Sequence, residues 1–80
     1  MRVYSDQKEL VKVVCNCCRK KLLVENGFLK EECIHLEHDF GFFGTKDGLS
    51  NRFDLCEDCY QKIIEKFSLP VEEWERIELL

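Results

Sequence analysis

The chain has 80 residues, with 16 Asp and Glu against 12 Lys and Arg and a formal charge of −4. That length allows one small domain and excludes a catalytic fold built around a large buried cleft. The acidic balance works against non-specific nucleic-acid binding, which depends on Lys and Arg displacing counterions from phosphate. A core this small struggles to offset the entropy of ordering, so a staple is expected, and six cysteines supply the material for one.

Residues 1–9 read as a polar N-terminal arm, loosely held or forming a short helical turn. Arg2, Asp6, Lys8 and Glu9 interrupt it, so it has no apolar core of the kind a signal peptide needs. With no run long enough to cross a bilayer, the expectation is a cytoplasmic protein with reduced thiols. Leu10 to Val14 is apolar and largely β-branched and predicts a strand that delivers Cys15. Lys20 to Val24 predicts a second short strand, and Glu25-Asn26-Gly27 a tight turn.

Phe28 to Phe42 predicts the main strand region. Phe28, Ile34, Leu36, Phe40 and Phe42 occupy its even positions and would form the buried face, interrupted by Lys30, Glu32 and His38. Cys33 and His35 fall on the polar side. Gly41 to Asn51 predicts a loop with a turn at Asp47-Gly48, and Arg52 to Leu55 a return strand leading to Cys56. From Glu57 the period changes. Tyr60, Ile63, Ile64 and Phe67 stand at helical spacing and predict an amphipathic helix of about three turns, ended by Ser68-Leu69-Pro70. Val71 to Leu80 fits either a helix face or an extended strand. The domain plan is thus an arm at 1–9, a zinc-binding domain at 10–70, and a C-terminal tail at 71–80 that packs on the domain or on a partner.

The chemistry lies in Cys15-Asn16-Cys17-Cys18 and Cys56-Glu57-Asp58-Cys59. A Cys-x-x-Cys turn aims two sulfurs at one point, and two such pairs complete a tetrahedral thiolate shell for one structural Zn²⁺. The first pair sits in a turn. The second sits at a helix N-terminus, where free N–H groups and the dipole favour thiolate. Knuckle, hairpin, then helix is the treble-clef order. The expectation is therefore a small α+β zinc-ribbon or treble-clef domain with Cys15, Cys18, Cys56 and Cys59 as ligands. Buried cysteines acting as small hydrophobes would not explain the pairing. Cys15 with Cys17 is a less common alternative pair. Cys33, His35 and His38 are further candidates, but the residues favour a free thiol and two surface histidines.

The runs His38-Asp39-Phe40-Gly41-Phe42-Phe43-Gly44-Thr45-Lys46-Asp47-Gly48, Phe53-Asp54-Leu55-Cys56-Glu57-Asp58-Cys59-Tyr60 and Phe67-Ser68-Leu69-Pro70-Val71 resemble a group of small bacterial proteins. These are zinc-ribbon or treble-clef proteins of Gram-positive anaerobes, without an established activity. The resemblance covers about residues 13–75 and implies zinc and the same fold. Two features depart from it. Arg19 stands where the group has glycine, so a side chain must occupy a position that often takes left-handed backbone, and Cys17 is an additional thiol.

Three functions follow as expectations. The first is a zinc-stapled module that binds a protein or self-associates, with Phe42, Phe43 and Trp74 as an exposed patch. The second is nucleic-acid binding through Arg19, Lys20 and Lys21, with Lys46 and Arg52 in support. The third is thiol redox exchange, which metal-locked thiolates and the lack of a thioredoxin-like βαβ pattern disfavour. Conventional catalysis is not expected, since His35 and His38 have no paired nucleophile.

Overall fold

A computed structural model describes residues 1–77. The protein is a small α+β domain of short antiparallel strands and one C-terminal helix. Strands β1 (Arg2–Tyr4), β2 (Leu10–Val14) and β3 (Lys21–Leu22) form a three-stranded sheet in that order. Strands β4 (Val24–Glu25) and β5 (Phe28–Leu29) form a hairpin, and β6 (Cys33–Asp39) pairs along its whole length with β7 (Ser50–Cys56). The helix α1 (Glu57–Ile64) follows β7 directly.

Local signals account for much of this. The β-branched run Leu10–Val14 is β2 as expected. Asn26 and Gly27 both take positive φ, 51° and 81°, which suits the tight turn between β4 and β5. Gly48 has φ 88°, in keeping with the turn expected at Asp47-Gly48. The return strand is longer than Arg52–Leu55, because Ser50 and Asn51 also pair with β6.

Five expectations change. The stretch expected to be a loose arm supplies β1, which pairs with β2 through Arg2–Val13 and Val3–Lys12. The continuous strand expected over Phe28–Phe42 is broken at residues 30–32, where Lys30 and Glu32 interrupt the apolar pattern. Lys30 there donates its N–H to the Leu23 carbonyl. Its buried face is also shorter than expected: Phe28, Leu36 and Phe42 are exposed, since the β6–β7 ribbon is covered only at the cysteine end. The helix ends after two turns rather than three. Phe67 lies beyond it, held by a turn bond to the Ile64 carbonyl, because the helix buries only Cys59 and has little to pack its outer face against. Residues 71–77 form neither a helix nor a paired strand, and residues 78–80 of the expected tail lie outside the described residues.

The core sits where β2, β3, β7 and α1 converge. Its buried members are Val13, Leu22, Leu55, Cys15, Cys56 and Cys59, packed round by Leu10, Val24, Leu29, Ile34, Phe53 and Tyr60. Half of that buried set is thiol. Three aliphatic side chains contribute about 1.5–3 kcal/mol each on burial, against about 10–16 kcal/mol for a structural zinc. A bound metal would outweigh these three buried aliphatic side chains together. No helix among the described residues is long and apolar enough to cross a membrane.

Candidate metal centre

The knuckle between β2 and β3 and the β7–α1 junction bring four sulfurs together. The Sγ atoms of Cys15, Cys18, Cys56 and Cys59 all lie within 4.8 Å of one another. Cys18 and Cys56 are 3.7 Å apart. A tetrahedron with metal–sulfur bonds of about 2.3 Å has edges of about 3.8 Å, so this separation suits a metal centre. It is far too long for a disulfide, and all six cysteines are free. The donor set therefore fits a thiophilic divalent metal. Cys15, Cys56 and Cys59 are buried, and Cys18 forms the exposed rim.

Backbone geometry shapes the knuckle. Cys15 donates its N–H to the Lys20 carbonyl, and Arg19 donates to the Cys15 carbonyl, both at 2.9 Å. Closing this loop requires left-handed backbone at Arg19, where φ is 69°. The side chain noted from sequence as standing in a glycine position does occupy a strained conformation. At the second pair, Cys56 is the residue before the helix and Cys59 lies in its first turn, beside the acidic Glu57 and Asp58.

The four thiols cannot all ionise together without a cation. Burial pushes the Cys15 thiol up, but backbone N–H groups of Cys18, Cys56 and Cys17 outweigh this and bring it down to about 6. Cys59 moves strongly the other way, through its hydrogen bond with Cys56 and then burial, with further contributions from Cys18 and Cys15. Cys18 is also raised. The Lys20 N–H and Cys59 favour its thiolate, and burial with Cys15 and Cys56 opposes it. One thiolate is thus prepared by the backbone, while Cys18 and Cys59 hold protons that a divalent cation would displace.

Of the other residues considered as ligands, none joins this cluster. Cys17 is exposed and is not one of the four converging sulfurs. His38 is exposed and meets Phe40 edge-on at 4.8 Å. Cys33 and His35 share a face as expected, but that face is not simply wet. It carries Asp54, which is 1% exposed.

Asp54 is the main feature that the sequence did not reveal. Its Oδ1 accepts from Arg2 Nε at 2.8 Å and from His35 Nδ1 at 2.8 Å, and the Cys33 thiol lies 3.5 Å away. The Met1 ammonium is 3.0 Å from Oδ2. Burial alone would raise the carboxyl, but hydrogen bonds from Arg2, the Met1 ammonium and His35 hold it well below the usual carboxylate range. The same contact fixes His35 with its proton on Nδ1. Asn16, an inner residue of the first Cys-x-x-Cys, bridges to Asp54 twice. Its N–H donates to the Asp54 carbonyl at 2.8 Å, and its Oδ1 accepts from the Asp54 N–H at 2.9 Å. The two cysteine pairs are therefore tied together by bonds beside the sulfurs.

No protein-family model, curated protein or solved structure matches this chain. The resemblance noted above therefore rests on its motif residues alone.

Proposed function

We propose that this protein is a non-enzymatic, zinc-stapled treble-clef module that works by binding another protein. The observation that carries the reading is the convergence of four thiols, three of them buried, from two separate elements. A shell of four cysteines around one zinc has no open position for water or substrate, which suits a structural metal rather than a catalytic one. The binding part of the reading draws on the surface. Phe42, Phe43 and Trp74 are 80, 99 and 72% exposed, so the small core does not absorb them. The radius of gyration, 15.6 Å, also exceeds the roughly 12 Å typical of a compact chain this long.

Nucleic-acid binding through Arg19, Lys20 and Lys21 has less support. Lys20 Nζ is 3.3 Å from Glu31, and the chain as a whole is acidic. Thiol redox exchange would require giving up the sulfurs that make up half of the buried core.

The test is metal content and thiol state of protein purified under reducing conditions, alongside Cys15→Ser and Cys56→Ser. The expected result is one zinc per chain, lost together with folded structure in both variants. A folded, metal-free chain that cycles between dithiol and disulfide would overturn the proposal and make thiol chemistry the function.

A further inference from the structure

The groove beside β2 and the segment at residues 71–77 both expose apolar side chains and carry opposite charge. Strands β2 and β3 pair only at Val13–Leu22 and Val14–Lys21. Leu23 then leaves the ladder: its N–H donates to Glu31 Oε1 and its carbonyl accepts the Lys30 N–H. Val11 and Lys12 run on past this point, and a groove of about 500 Å³ opens between them and the diverging chain. Val11 and Leu23, each about half exposed, give it an apolar floor, and Lys12 and Lys21 stand at its sides. The acidic residue there, Glu31, is already engaged by Lys20. The groove therefore presents net positive charge on an otherwise acidic protein.

Residues 71–77 have the opposite character. Val71, Trp74 and Ile77 recur every third residue. Either a helix or an extended chain with three residues per turn brings that spacing to one side. Between them stand Glu72, Glu73 and Glu75 against a single Arg76. Trp74 is 72% and Ile77 90% exposed, so the apolar side of this segment is uncovered while the groove stands open. Within one copy, both halves of the match are unmet.

We propose that the Val71–Ile77 segment of one copy docks in the β2–β3 groove of a second copy. Val71, Trp74 and Ile77 lie against Val11 and Leu23, and Glu72 and Glu73 face Lys12 and Lys21. Reciprocal exchange satisfies both grooves and both segments at once and closes as a two-fold dimer. This rests on the reading of the protein as a binding module and names the partner of that module.

The single tryptophan of the chain lies in the docking segment and reports on it directly. The experiment is sedimentation of the zinc-loaded, reduced full chain from about 1 µM to about 1 mM, with Trp74 emission and zinc content read on the same samples. A monomer–dimer transition accompanied by a blue shift of the emission is expected. Lys12→Glu with Lys21→Glu, or Glu72→Lys with Glu73→Lys, each weakens self-association by about tenfold or more. Mixing the two double variants restores it, because each acidic segment then meets a basic groove and each basic segment an acidic one. None of the four residues is a cysteine of the metal centre, so zinc content stays unchanged in the variants.

A monomer at every concentration that still carries one zinc would overturn the dimer while leaving the zinc reading intact. A blue-shifted tryptophan in a monomer, independent of concentration, would place the segment in its own groove and also overturn the proposal. So would a dimer indifferent to both charge reversals. A reduced protein that dimerises without zinc, and responds to both reversals, would support the docking and overturn the zinc reading.

Discussion

Replacing Arg19 with glycine isolates the strain in the first knuckle. Arg19 is held at φ 69° by the two backbone bonds that close the loop round Cys15. Left-handed backbone costs a residue with a Cβ about 1–2 kcal/mol, a cost that glycine avoids. Glycine also gives the unfolded chain more freedom, which takes back about 0.5–1 kcal/mol. The Arg19 side chain is exposed and makes no ion pair among the described residues, so its removal subtracts little else. The net expectation for Arg19→Gly is a gain of about 0.5–1 kcal/mol, or about 2–8 °C in Tm for a domain of this size. Thermal and urea unfolding should be measured at one fixed free-zinc concentration, since a bound metal adds to apparent stability. Arg19→Ala is the control, because it removes the side chain but keeps the Cβ. Alanine should leave Tm near that of the parent chain. A glycine variant no more stable than the parent, or an alanine variant that gains equally, would refute the argument from backbone strain.

Two further substitutions probe the ties around the four cysteines. Asn16→Ala removes the acceptor of the Asp54 N–H, and is expected to cost about 1–2 kcal/mol and about tenfold in zinc affinity. Competition with a chromophoric chelator measures this; unchanged affinity would show that Asn16 does not support the knuckle. Asp54→Asn takes the carboxylate away from Arg2, the Met1 ammonium and His35 Nδ1 and is expected to cost about 2–3 kcal/mol near pH 7, discounted for the partial exposure of these partners. Because the folded-state pKa of Asp54 is depressed, its contribution is fully present above the unfolded value of about 3.9 and is lost as pH falls towards the folded value. The stability gap between parent and variant should therefore hold steady from pH 7 to pH 5 and begin to close below about pH 4. A gap that instead vanished between pH 7 and 5 would implicate a different group.

What the sequence revealed was local. The run Leu10–Val14, the Asn26-Gly27 turn and the start of the helix at Glu57 each carry their signal within a few residues. The two Cys-x-x-Cys pairs were also legible, because ligand spacing within a turn is a local constraint. Each failure depended on distance. Nothing about Arg2 marks it as the partner of Asp54, 52 residues away. Without that partner, residues 1–9 look like a polar arm and Asp54 like an ordinary strand carboxylate. Helix length failed for a related reason. Tyr60, Ile63, Ile64 and Phe67 have helical spacing, but a face extends a helix only when something packs on it, and here Ile63 and Phe67 are exposed.

Asp54 also explains why the knuckle and the helix end stay in register before any metal is considered. Arg2 from β1 and His35 from β6 reach its carboxylate, and Asn16 from the knuckle holds its backbone N–H and carbonyl, so three segments meet at one residue two positions before Cys56. A buried charge of this kind is a weak source of net stability, since desolvation offsets most of the attraction. Its value lies in geometry. Moving Asn16 off Asp54 strands a backbone N–H, and moving Arg2 or His35 leaves the carboxylate short of donors, so alternative placements of the knuckle are penalised. The sulfurs are thereby held near tetrahedral separation by groups that do not touch them. A bound metal would in turn fix Cys15 and Cys56, the residues on either side of the Asn16–Asp54 bridge. Each arrangement stabilises the other, so a variant lacking both should lose less than the sum of the two single losses.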